Sequence, residues 1–472
     1  MHQVLMISLA AVALQGAYSF KVDLDHPDGF YQVGQTATCT ATLLKEGQPA
    51  AGEKFRCSVK QEGKVVETRD FESAGQPVTI QGTIDRPGWI YFGFEVLDTE
   101  GRPHEGPAYF KHSRKPSIVG EIGAVFEPEK IRAVSTRPAD FEVYWGQCRK
   151  QLDAVPLKAK LTPSPVPEDL QTQVECFSVE VACLGKNPVR GYLALPKGAK
   201  PKDPSQNHPG QAGRPRKTEL PIGSGTGSKS LPAIVGYQGL SWADASKRAA
   251  IDDVVRYKAI SLHTSWHALP TGHDAKYYDE FSKTWYQPWD GDEDRDTWFF
   301  HDLFYRVMRA MDFIKSRPEW NRKDLIVSGG SLGGIQTIAA AALEPRVTLA
   351  VVSVPSFCEF QSFRASRDYA PVCYRTRAGL ERLKGDEKIQ TMLSYHDAVN
   401  FAPMIKCDDY ACTGFTDELC SPSTVYAFYN NLTAARSKTM TTDPRTGHYG
   451  ATPNVKGVRR LEELFTGRKV HP

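Results

Sequence analysis

Two kinds of apolar pattern divide this chain. From about residue 20 to 115 the apolar residues come in short runs: "TATCTATLL", "KFRCSVKQ", "PVTIQGTI", "WIYFGFEVLD" and "AYFKHS". Gly, Pro and Asn/Asp/Glu turns separate them. Short strands at close, fairly regular spacing, with no helical period, predict a small Ig-like β-sandwich. Nothing in this part gathers titratable groups as a reaction centre would. Its default role is support or docking, with carbohydrate binding as the alternative.

From about residue 120 the period changes. "FEVYWGQCRKQL" has helical apolar spacing, and "FSVEVACL" with "VRGYLALP" predicts an antiparallel pair. Residues 198–230 are polar and rich in Pro, Gly, Ser and Lys; they cannot bury enough surface to fold alone and read as a long solvated loop, a surface insertion. Strand-like and helical runs then alternate. "PAIVGY" and "YKAISLH" are short and apolar. Phe300, Leu303, Phe304, Val307, Met311 and Ile314 form one helical face that Pro318 terminates. "DLIVSGG", "SLGGIQTIAAAALE" and "VTLAVVSV" follow as strand, helix and strand. Alternation of this kind predicts a mostly parallel sheet with helices on both faces.

Length and composition sharpen the division. A chain of 472 residues exceeds one ordinary domain, and 40% hydrophobic with 24% charged residues suits packed cores. The net charge of +3 is small, and no basic stripe carries interleaved aromatics, so nucleic acid is not an expected partner. The N-terminal run "VLMISLAAVAL" is too short to span a bilayer comfortably. Ala17 and Ser19 after it fit a small-residue cleavage site, which predicts a signal peptide over 1–19 and a secreted or periplasmic protein. No later run approaches the ~20 apolar residues of a membrane span. The expected organisation is therefore a leader (1–19), a β-sandwich (20–118) and an α/β domain (119–472) carrying the polar insertion.

Ten cysteines in an exported chain can pair. Cys39 and Cys57, on neighbouring strand-like runs, are the first candidate pair, and Cys407, Cys412 and Cys420 form a second cluster; buried free thiols are the alternative. No C-x-x-C occurs, so a structural zinc is not expected.

The chemistry centres on Gly329-Gly330-Ser331-Leu332-Gly333, a G-x-S-x-G sequence between an apolar run and a helix. A sharp strand–helix turn there strains the serine backbone and pushes its hydroxyl out at the carboxyl end of the sheet. The helix N-terminus and the N–H of Leu332 can then hold an oxyanion. A serine hydroxyl needs a base, and the base an orienting carboxylate. "YACTGFTDELCSPSTVYAFYNNL" gives a strand, then Asp417, then a helix; "SKTMTTDPRTGHYGA" gives a strand, then His448 in a Gly-flanked loop. The order Ser, Asp, His is that of α/β-hydrolases. Asp408, Asp409 and Glu418 compete for the acid position, although Asp408 and Asp409 would lie at the wrong end of their strand. His396 is the one other histidine between Ser331 and His448, and His301 falls on a long helix. "IVGYQGLSW" places the backbone N–H of Tyr237 as a second oxyanion donor.

Several separated segments resemble the acetyl xylan esterase / cephalosporin C deacetylase family, carbohydrate esterase family 7, over about 137–467. They are "RPADFEVYWGQCRKQLDAVPLKAKL", "VGYQG", "DLIVSGGSLGGIQTIAAAALEPRVTLAVVSVP", "TGFTDELCSPSTVYAFYNNL" and "GHYG". The resemblance implies an α/β-hydrolase fold. It implies Ser331 as nucleophile, His448 as general base and acid, Asp417 as orienting carboxylate, and backbone oxyanion donors at Tyr237 and Leu332. It also implies a deacetylase of acetylated sugars that needs no metal or cofactor. Family members commonly carry Gln after the nucleophile, where this chain has Leu332. The N-terminal β-domain and the 198–230 insertion are additions to the small members, which are often hexameric, so a homo-oligomer is a further expectation. The rival readings are another serine hydrolase (peptidase, thioesterase or glucuronoyl esterase) and a glycan-binding protein without catalysis. Residues 262–298 are rich in Trp, Tyr, His and Asp. They suggest either sugar stacking or packing of a long excursion, with no recognisable metal-ligand spacing.

Overall fold

The computed structural model describes residues 18–103, 118–185, 187–199, 230–284, 294–367, 377–448 and 455–466. The expected leader through residue 17, the "AYFKHS" strand and nearly all of the polar insertion lie outside the described residues.

The N-terminal strands are β1 (Tyr18–Leu24), β2 (Phe30–Tyr31), β3 (Ala37–Lys45), β4 (Gln48–Pro49), β5 (Ala51–Gln61), β6 (Lys64–Ala74), β7 (Val78–Gly82), β8 (Gly88–Val96) and β9 (Ile118–Phe126). They form two sheets, one of β1-β3-β4 with β7 beside β3, the other in the order β2-β9-β8-β5-β6. The period-2 pattern does what it predicts: Ala37, Cys39, Ala41 and Leu43 of β3 and Phe55, Cys57 and Val59 of β5 are buried in one shared core. Cys39 and Cys57 face that core from opposite sheets as thiols rather than as a disulfide, and Cys407, Cys412 and Cys420 form no disulfide among the described residues, which corrects the expectation of a pair. Burial pushes both sandwich thiols up, Cys57 to about 12.

Strand β9 lies beyond the boundary expected at 118. Its sequence, "IVGEIGAVF", hides it, because two glycines interrupt the strand pattern. Both are required by close approach. A Cβ on Gly120 would lie 2.5 Å from Cβ of Phe20, and one on Gly123 would lie 1.9 Å from the carbonyl oxygen of Phe415.

The second part is a mixed sheet of β10 (Ala159–Pro163), β11 (Val174–Val181), β12 (Val189–Pro196), β13 (Leu231–Tyr237), β14 (Ile260–Thr264), β15 (Trp320–Gly330), β16 (Leu349–Ser353), β17 (Asp408–Gly414) and β18 (Ser437–Asp443). The order is β10-β11-β12-β14-β13-β15-β16-β17-β18. Pairing is antiparallel from β10 to β14 and parallel from β14 through β18. Helices Phe299–Ser316 and Leu332–Leu343 cover one face within the main core, while Tyr257 and Leu461, from helices Lys247–Tyr257 and Val455–Thr466, pack on the other. This is an α/β-hydrolase sheet preceded by a β-sandwich. No helix among the described residues is long and apolar enough to cross a membrane.

Two of the acidic competitors, Asp408 and Asp409, are placed at the opposite end of β17 from the serine. Asp408 pairs with Arg436 at 2.6 Å. Asp409 is fully buried, and neither carboxylate oxygen has a hydrogen-bond partner among the described residues. Burial pushes it up to about 7, against a partial opposing pull from Lys438. A raised carboxyl retains its proton in the folded chain after the unfolded chain has lost it. Stability therefore falls as pH rises from about 4 to 7, by an amount on the order of a few kcal/mol. Asp409→Asn removes that dependence. Its thermal midpoint should exceed that of the wild type clearly at pH 8.5 and by less at pH 5; an equal difference at both would refute the assignment.

Candidate active site

Strand β15 ends at Gly330, and Ser331 turns the chain directly into the helix Leu332–Leu343. Its backbone sits at φ 56°, ψ −121°, a region costly for any residue with a Cβ. The surroundings hold it there. Ser331 N–H donates to Ser353 carbonyl at 3.0 Å, and its own carbonyl accepts from Gly334 and Ser356 at 2.8 and 3.1 Å. The flanking glycines are steric requirements. A Cβ on Gly329 would lie 2.5 Å from the Gly333 carbonyl oxygen, and one on Gly333 would lie 2.2 Å from that of Tyr237.

Asp417 follows β17 and His448 follows β18, so parallel pairing carries both to the serine's end of the sheet. The Ser331 hydroxyl lies 3.0 Å from His448 Nε2, and His448 Nδ1 lies 2.9 Å from Asp417 Oδ2. An ionised carboxylate only accepts, so Nδ1 carries the proton and Nε2 is left to accept from the serine. Asp417 is fully buried, and its Oδ1 accepts the N–H groups of Leu419 and Cys420, both at 2.8 Å. That fixes the carboxylate plane. The acid and histidine loops are laced together by Phe415 N–H to Asp443 and Thr416 N–H to Thr446, at 2.9 and 3.1 Å. Gly414 permits this: a Cβ there would lie 2.1 Å from the Thr446 carbonyl oxygen.

Tyr237 closes β13 beside the turn. Its hydroxyl is buried and donates to the Val307 carbonyl, so its side chain points away from the serine. Gln336 was not legible as a site residue. Its amide donates to the Gln238 carbonyl at 3.1 Å and to that of Leu332 at 3.0 Å, tying the loop after β13 to the serine helix. Leu332 begins that helix, where the first N–H groups have no intrahelical acceptor.

The remaining candidates fall elsewhere. His396 and His301 are core groups, lowered by burial, His396 to about 3; His301 Nε2 faces the Cys148 thiol. Glu418 pairs with Lys60. Trp266 and Trp298 of the aromatic stretch are buried, the latter stacked on Phe300; Trp285 and Trp289 lie outside the described residues. Asp417, Cys420 and His448 are the one group among the described residues whose potential ligand atoms lie within 4.8 Å of one another. Asp417 and His448 are already committed to each other, to Ser331 and to backbone N–H groups, and three donors do not make a four-ligand structural zinc site. A cleft of about 800 Å³ between helices Phe141–Asp153 and Phe299–Ser316 is lined by Tyr144, Cys148, Arg295 and His301, and by none of Ser331, Asp417 and His448.

Fold and site define a carboxylic ester hydrolase of the α/β-hydrolase class. The chain belongs to the acetyl xylan esterase (AXE1) family, whose model matches residues 126–209 and 226–459. The match begins at Phe126, the last residue of β9. Among curated proteins, the acetyl esterase Axe7A of Xylanibacter ruminicola is 24% identical over 454 residues, covering 93% of this chain and 90% of that one. Among solved structures, acetyl xylan esterases from Paenibacillus sp. R4 and Thermoanaerobacterium sp. share the fold. Their identities are 21% and 20%, with TM-scores of 0.54 and 0.53. Each is covered over 98% of its length by 72% of this chain.

Proposed function

We propose that this protein removes O-acetyl groups from acetylated sugars or oligosaccharides through an acyl-enzyme on Ser331. The observation that carries the reading is the unbroken chain from Asp417 through His448 to a strained serine hydroxyl. His448 Nε2 takes the Ser331 proton as Oγ attacks the acetyl carbonyl carbon. The carbonyl π pair moves onto oxygen, and the backbone N–H groups of Leu332 and Tyr237 receive the oxyanion. Collapse of this intermediate breaks the bond to the sugar oxygen, which leaves with the proton from His448. Water repeats the sequence on the acetyl-enzyme and releases acetate. Asp417 holds the histidine tautomer and stabilises the imidazolium. The apolar N-terminal run supports an exported enzyme acting on glycans outside the cytoplasm.

The test is acetate release from a panel of acetylated xylo-oligosaccharides, acetylated monosaccharides, a thioester and an amide. Release from the acetylated sugars, at rates well above those for thioester and amide, is expected. Turnover of the amide or thioester with none of the acetylated sugars would replace this reading.

A further inference from the structure

The sandwich meets the second part of the molecule at a particular place. Phe415, Thr416 and Glu418, which flank Asp417, are each held by a sandwich side chain. Trp89 Nε1–H donates to the Phe415 carbonyl at 2.6 Å. Thr416 Oγ1–H donates to Glu121 Oε1 at 2.8 Å. Lys60 pairs with Glu418. The histidine loop is held from the same side: Gly123 N–H donates to the Pro444 carbonyl at 2.8 Å, and Arg445 pairs with Asp23 at 2.9 Å.

These contacts are built into buried structure. Trp89, Tyr91 and Val125 belong to the hydrophobic cluster of the second part rather than to that of the sandwich. Tyr91 donates to Glu121 Oε2 at 3.0 Å, so both oxygens of that carboxylate are occupied. Glu62 Oε1 accepts Trp89 N–H and Ser423 Oγ–H, both at 2.7 Å, and so reaches the helix Pro422–Asn430 that follows the acid loop. Glu121 Oε1 also lies 3.4 Å from where a Cβ of Gly447 would be. One sandwich carboxylate is therefore wedged between the residue before Asp417 and the residue before His448.

We propose that the sandwich is a positioning device for the reaction: Glu121, Trp89 and Lys60 hold the Asp417 and His448 loops in register with Ser331. This rests on the Ser331–His448–Asp417 reading above. Their bonds go to Phe415, Thr416 and Glu418 rather than to Ser331, His448 or Asp417, so they are positioning residues and their loss acts on turnover through geometry. A misplacement of about 1 Å in such a site costs on the order of 10²-fold in rate.

The test uses the full chain with four variants: Glu121→Ala, Glu121→Gln, Trp89→Phe and Lys60→Met. Leu43→Ala, in the sandwich's own core on β3, a strand that supplies none of the seam side chains, serves as the stability control. Thermal midpoints, kcat and KM for 4-nitrophenyl acetate well below those midpoints, and the rate of phosphonylation by a fluorophosphonate are measured. Glu121→Ala should lower kcat about 10²-fold with KM within about twofold, and slow phosphonylation in parallel. Glu121→Gln keeps an acceptor for Thr416 and should recover most of the loss. Trp89→Phe and Lys60→Met should each lower kcat by severalfold to about tenfold, and they carry the test if Glu121→Ala does not fold. Leu43→Ala should lower the midpoint and leave kcat unchanged. Seam variants with wild-type kcat, or a control that loses kcat as they do, would overturn the proposal. Failure of the underlying reading looks different, because wild-type Ser331 would then not be phosphonylated at all.

Discussion

Ser331→Ala should lower turnover of acetyl esters by roughly 10⁵–10⁶-fold while the protein stays folded. The size follows from the role: without Oγ no acyl-enzyme forms, and the oxyanion donors retain only a small residual catalysis. The preserved fold follows from the local geometry. The cost of φ 56° at this turn arises from the Cβ, and alanine keeps that atom, so the strain is the same in both proteins. What alanine cannot make is the hydrogen bond to His448 Nε2. Steady-state kinetics alongside thermal unfolding checks both halves. A folded variant with turnover within tenfold of wild type would remove Ser331 from the chemistry.

Asp417→Asn should lower kcat by ~10³–10⁴-fold, with KM changed far less. Asparagine Oδ1 can keep the N–H groups of Leu419 and Cys420, which fix the orientation of this side chain. That leaves the amide NH₂ facing His448 Nδ1. Nδ1 must then accept, the ring proton moves to Nε2, and Nε2 presents a donor to a serine that needs an acceptor. Asp408→Asn is the comparison. Asp408 is tied to Arg436 and Ser437 at the far end of β17, and its loss should leave kcat within about twofold. Kinetics on the pair decides between them, and severe loss at Asp408 with little at Asp417 would reverse the assignment.

What the sequence made legible follows from the range of each signal. The G-x-S-x-G turn is local: Gly329, Ser331 and Gly333 lie within five residues, and one strand–helix corner dictates all three. Asp417 and His448 were legible because each lies just past a strand, and parallel pairing sends successive strand ends to one edge of the sheet. Strand β9 was missed because Gly120 and Gly123, which allow Phe20 and Phe415 to approach, weaken the period-2 pattern that reveals strands. The Cys39–Cys57 expectation failed because burial on two facing sheets, rather than bonding, accounts for both thiols. The seam was beyond reach. Trp89 and Glu121 lie about three hundred residues before Phe415 and Thr416 in the chain, and no local pattern marks a carboxylate destined for a distant loop. Gln336 likewise reads as one polar position on an alanine-rich helix until the loop after β13 is folded against it.

The most direct measurement is to treat the wild-type protein with a fluorophosphonate and map the modified residue by peptide mass spectrometry. A serine becomes phosphonylated at a useful rate only where a base activates it and donors hold the anionic oxygen. The account predicts one stoichiometric modification, at Ser331, with simultaneous loss of acetate release, and none in Ser331→Ala. Modification at another residue, or full loss of activity with Ser331 unmodified, would contradict it.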